Sequence, residues 1–132
     1  MPNDVAIIPF SALPPTLRSD RLFLLNLAAE SERPPEQCLF RRVDFDLANY
    51  RTHSIDEYAS PDEPDFAADL ALIKEMAQAY RQGGPEALPR IVVINHGTAE
   101  QPFWWVIDGM HRAWAAALAS IRAIPAFEVI KG

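Results

Sequence analysis

Residues 106–117 read Val106-Ile107-Asp108-Gly109-Met110-His111-Arg112-Ala113-Trp114-Ala115-Ala116-Ala117. An apolar run closes at Ile107, an Asp-Gly pair interrupts it, and an alanine-rich segment follows at once. β-Branched apolar residues suit a strand, glycine lets the backbone turn sharply or approach a ligand closely, and alanine favours helix. The stretch predicts a strand, a tight turn and a helix in immediate succession. The first N–H groups of a helix lack intrahelical partners and lie at the positive end of its dipole. Such a junction is an anion site before any side chain is counted. His111 and Arg112 add two donors, one of them permanently charged. Asp108 has three readings: it orients His111, holds a metal ion, or caps the helix. An ordinary Asp-Gly turn with solvated side chains has the same wording, so the motif draws its weight from its strand–glycine–helix setting.

Working outward, residues 91–94 are β-branched and continuous, which predicts a buried strand, with 103–107 as its hairpin partner across a polar turn at 96–101. His96 in that turn reads as solvated. Phe66, Leu70, Ile73, Ala77 and Tyr80 step by four, three, four and three, a helical stripe over 66–82, stopped by Gly83-Gly84. Ile124-Pro125 opens a last strand at 126–130, since proline is permitted at a strand's first position. Trp114, Leu118 and Ile121 read as a core stripe of the helix at 110–120. Nearer the start, 5–10 and 37–43 read as strands, and Asp20 as the cap of a helix ended by Pro34-Pro35. The fold class is therefore α/β (α+β): a small mixed sheet packed by helices. Residues 1–36 read as an N-terminal extension packed on the domain formed by 37–132. No repeat and no dividing linker appears.

The order of these pieces resembles the ParB/sulfiredoxin superfamily. The resemblance rests on Ile107-Asp108-Gly109-Met110-His111-Arg112, the alanine-rich helix, Ile121-Arg122-Ala123-Ile124-Pro125-Ala126-Phe127, and the upstream Leu88-Pro89-Arg90-Ile91-Val92-Val93. It covers roughly residues 38–130. It implies a Gly-x-x-Arg turn that binds a nucleotide phosphate. Sulfiredoxins place a cysteine where this chain has Met110, so sulfiredoxin activity is excluded. Chromosome-partitioning members carry a Gly-Glu-Arg-Arg version that binds CTP and a helix-turn-helix domain beyond it; here Met110 and His111 stand at the Glu and first Arg positions. Free-serine kinases of the superfamily have the closer Asp-Gly-x-His-Arg wording and a catalytic glutamate on an earlier loop, for which Asp56 and Glu57 are the candidates. The resemblance thus implies nucleotide binding (ATP, ADP or CTP) by Gly109, Met110, His111, Arg112 and Arg51. It also implies chemistry by His111, Arg112 and Asp108, with Mg²⁺ near Asp108. NTP hydrolysis or phosphoryl transfer is the first expectation. A DNA nuclease or DNA-associated regulator is the second, and an inactive protein-interaction module the third.

Bulk properties bear on those classes. The chain has 132 residues and a net charge of -6, which argues against whole-chain attraction to DNA or an anionic membrane. Only a local basic face, from Arg41, Arg42, Arg51 and Arg112, would serve DNA. Ten arginines stand against two lysines, Lys74 and Lys131. The lone Cys38 forms no intramolecular disulfide, and it reads as a buried structural thiol in a reducing compartment. No apolar run reaches the ~20 residues of a membrane span, and a cytoplasmic protein is expected. Asp56, Glu57, Asp62, Glu63, Asp65 and Asp69 form an acidic stretch with two readings, a metal or phosphoryl-transfer role and a solvated loop leading into a favourably charged helix start, of which the second is preferred. In Phe103-Trp104-Trp105, alternation puts one tryptophan inward and leaves the other for packing, a base or a partner protein. The three histidines lack metal-ligand spacing, so no zinc site is expected.

Overall fold

Each apolar run of the second half becomes a strand, and the first half adds two more. The computed structural model describes residues 6–47 and 66–131. Its strands are β1 (Ile7–Pro9), β2 (Leu39–Asp46), β3 (Ile91–Asn95), β4 (Trp104–Asp108) and β5 (Ala123–Val129). They form one mixed five-stranded sheet in the order β1-β2-β5-β3-β4. Among the described residues the helices are α1 (Pro15–Arg18), α2 (Arg21–Ser31), α3 (Phe66–Gly83) and α4 (Met110–Leu118), with short 3-10 turns at Phe10–Ala12 and Pro35–Gln37. The protein is thus a small α/β fold. No helix among the described residues is long and apolar enough to cross a membrane.

Hydrogen-bond register explains the order. β1 runs antiparallel to β2, with Ile8 opposite Phe40. The Ile130 N–H donates to the Leu39 carbonyl, and the Leu47 N–H to the Arg122 carbonyl. One index falls as the other rises, so β2 and β5 are antiparallel. β5 and β3 are parallel, Ile91 opposite Ala126. Parallel strands need a crossover, and α4 lies on the chain between β4 and β5. β3 is buried along Ile91–Ile94, as expected of a strand covered on both faces.

The chain forms two compact units. The first comprises Met1–Val43, Ile91–Asp108 and Ala126–Gly132, and the second Asp44–Arg90 and Gly109–Pro125. The first unit's core joins Ile8, Leu13, Phe23, Leu27, Cys38 and Phe40 to Val92, Ile94, Ile107, Phe127 and Val129. A fully buried side chain such as Phe23 or Leu27 contributes about 1.5–3 kcal/mol through the water it leaves. Cys38 sits in this core, with its Sγ donating to Ser31 Oγ; the buried structural thiol is what the structure shows. In the second unit α3 packs on α4. The buried residues there include Ile73, Ala77 and Tyr80 of α3 and Ala113, Trp114 and Ala116 of α4.

Several expectations need correction. β5 starts at Ala123, ahead of Ile124-Pro125, because β2 pairs with that end of it. Pro125 still lies outside the ladder to β3, which begins at Ala126, so its missing N–H breaks no bond there. α4 stops at Leu118, and Leu118 is about half exposed. The helix ends too early for a Trp114–Leu118–Ile121 stripe: Ser120 turns left-handed (φ 61°). The Ile121 N–H then returns to the Ala116 carbonyl and the Ser120 N–H to Ala117, a Schellman closure. The Arg81 guanidinium also donates to the Leu118 carbonyl. His96 is exposed, as its place in the turn predicts, and its Nε2 lies 2.8 Å from Glu30 Oε1. Trp105 is the exposed member of its pair, at 48%.

Candidate functional site

The junction after β4 is built by a register shift. Val93 faces Val106, but Val92 faces Asp108, so Ile107 is an extra residue. A bulge of this kind bends its strand and re-aims the side chains beside it. It lies two residues before the turn.

Gly109 then adopts φ 102°, ψ 27°. That left-handed region is open to glycine at no steric cost and strained for other residues. Gly109 occupies the N-cap position, and its carbonyl accepts the first helical hydrogen bond from Ala113 at 2.9 Å. Glycine brings no capping side chain of its own. Asp108, the residue before it, is the last of β4.

Arg112 reaches back along the chain. Its Nη1 donates to the Pro89 carbonyl at 2.9 Å and to the Arg90 carbonyl at 3.1 Å. The guanidinium therefore fixes the segment that enters β3 to the first turn of α4, a positioning role in addition to any anion contact. Its charge is felt at Tyr80: burial pushes that phenol up, and Arg112 opposes the shift. His111 stands edge-on to Trp114, ring centroids 5.9 Å apart and planes at 83°. Its Nε2 is buried, so the imidazole packs into the helix as much as it faces outward. Met110 is half-buried at the helix start.

The turn thus brings Gly109, Met110, His111 and Arg112 together in one helical turn. Arg51, Asp56 and Glu57, and the acidic residues 62–65, lie outside the described residues. Among the described residues no group of three His, Cys, Asp or Glu side chains is placed to hold a metal ion. Asp108 therefore belongs to no such group among the described residues. The carbonyls that engage Arg112 left no trace in the sequence, since backbone acceptors are carried by every residue. Tyr80 was legible only as a core position; its proximity to Arg112 depends on how α3 packs on α4.

Comparison with family models, with curated proteins and with solved structures finds no match for this chain.

Proposed function

We propose that the start of α4 binds the phosphate of a nucleotide, in a protein of ParB/sulfiredoxin type that hydrolyses the nucleotide or transfers its phosphoryl group. The observation that carries this reading is the left-handed Gly109 at the N-cap position of α4, with Arg112 in the turn that follows. Backbone N–H groups and the dipole at a helix start favour an anion. Arg112 supplies the charge that phosphoryl transfer requires. The DNA reading has less support: Arg41 forms a two-point pair with Glu128, both contacts at 3.2 Å, which removes one cation from the basic face.

A thermal-shift series with ATP, ADP, CTP and GTP, each with and without Mg²⁺, tests the proposal. Ligand at about 100 times its Kd adds ~2.7 kcal/mol, or roughly 8–16 °C in a chain of this size. Arg112→Lys keeps the charge, with its donors on a single nitrogen, but loses the planar fork. It should retain most of the fold and lose most of the ligand-induced shift, and phosphate release should fall with it. No shift with any nucleotide, or a shift unchanged in Arg112→Lys, overturns the assignment.

A further inference from the structure

Glu30, His96 and Lys131 are far apart in sequence, and the first unit brings them into a row. Glu30 lies in the last turn of α2, His96 follows β3 and Lys131 follows β5. His96 Nε2 is 2.8 Å from Glu30 Oε1, and Lys131 Nζ is 3.3 Å from His96 Nδ1. An ammonium has donors only, so Nδ1 must be the acceptor. The ring proton then sits on Nε2, facing the Glu30 carboxylate. The row has the order orienting carboxylate, base, nucleophile.

Lys131 also lines a cavity of about 70 Å³, with Ser31, Arg33, Cys38, Val129 and Ile130. That is several times what one water requires. The small polar groups of the lining are already engaged: Ser31 Oγ accepts from Cys38 Sγ and from the Arg33 N–H. The cationic residues of the lining are Arg33 and Lys131, and among the described residues no side-chain carboxylate lines the space. Arginine's planar fork matches a carboxylate, and a lysine amine adds to a carbonyl. A small molecule that carries both groups side by side fits the pair.

We propose that Lys131, with His96 as base and Glu30 as the residue that positions it, captures a small α-oxo acid as an imine, its carboxylate on Arg33. His96 Nδ1 takes a proton from the Lys131 ammonium as the nitrogen lone pair forms the C–N bond. The carbonyl π pair moves to oxygen, which takes that proton from His96 to give the carbinolamine. The nitrogen then forms the C=N bond as the hydroxyl leaves; a second proton, passed from nitrogen through His96, makes it water. One ammonium and one carbonyl give one protonated imine and one water, with no oxidant or reductant. The site is independent of the phosphate reading at Gly109.

The test is reductive trapping on the intact protein with glyoxylate and sodium cyanoborohydride, followed by peptide mapping. Lys74, exposed on α3 and the only other lysine, is an internal reference. Carboxymethylation of Lys131 should outpace Lys74 by about a hundredfold, the low side of what a positioned base supplies. His96→Asn should bring it to the Lys74 rate, and Glu30→Gln should lower it in part. Arg33→Gln should slow trapping with glyoxylate but not with acetaldehyde. Equal rates at the two lysines of the wild-type protein overturn the proposal, and that comparison needs no variant to fold. A Lys131 rate with acetaldehyde equal to that with glyoxylate overturns the oxo-acid assignment.

Discussion

Helix α2 opens on Asp20, in extended backbone at φ -84°, ψ 106°, whose carboxylate accepts the Phe23 N–H at 3.2 Å. Helix α4 opens on Gly109, left-handed and with no side chain to offer. Both starts are marked in the sequence by an aspartate, but Asp20 occupies the N-cap position itself, whereas Asp108 stands one residue before it. α2 takes a cap from the side chain of its own N-cap residue. α4 opens on a residue that has none, with His111 and Arg112 following in its first turn. The difference lies in the residue at the N-cap position. It also shows that Asp followed by an apolar-periodic segment does not by itself distinguish the two. What distinguishes them is the glycine in between.

The largest expected effect falls on that glycine. Gly109→Val places a β-branched side chain at φ 102°, and strain of this kind costs about 1–3 kcal/mol. Gly109→Asn should cost clearly less, because asparagine visits the left-handed region more readily. Urea unfolding of the two variants measures both. Equal costs would mean that the turn relaxes out of its left-handed conformation, and the contrast with Asp20 would lose its basis.

The next effect belongs to α2. Asp20→Ala removes the side-chain cap and should cost about 1 kcal/mol, and Asp20→Gly a few tenths. Neither should alter the nucleotide-induced shift in melting temperature, because that response is assigned to α4. If Asp20→Ala abolishes the shift while the protein remains folded, the two helix starts are not functionally distinct.

Much of the fold was legible because its signals are local. The buried strand at 91–94, the stripe of Ile73, Ala77 and Tyr80, the Asp20 cap and the Gly109 turn each depend on a few neighbouring residues. What escaped depends on partners remote in sequence. Leu118 looked like core by spacing, but its exposure follows from the left-handed Ser120 that ends the helix. His96 looked like a loop residue, and its place in a row is set by α2 and by the segment after β5. The bulge at Ile107 is a mismatch between two strands and has no expression in either alone. For the candidate site, the residues at 109–112 were legible as a group. The engagement of Arg112 with the Pro89 and Arg90 carbonyls was not, because backbone acceptors carry no sequence label.

The smallest expected effect tests whether the α4 start is electrostatically coupled to α3. Burial raises the Tyr80 phenol above its ordinary value, and Arg112 opposes the rise. In the folded protein Tyr80 therefore keeps its proton at a pH where the unfolded chain has begun to lose it. Its contribution is fully present below about pH 10, the unfolded value, and is lost as pH rises through the folded one. Tyr80→Phe should flatten the alkaline limb of stability against pH without changing its slope near neutrality. Arg112→Gln removes the opposing charge, so the phenol should rise further and the alkaline loss should extend to higher pH. The other tyrosines titrate in both backgrounds, so the difference between wild type and Tyr80→Phe isolates this one group. If Arg112→Gln leaves the alkaline limb unchanged, the Arg112 charge is not felt at Tyr80, and its role at the start of α4 reduces to its two carbonyl contacts.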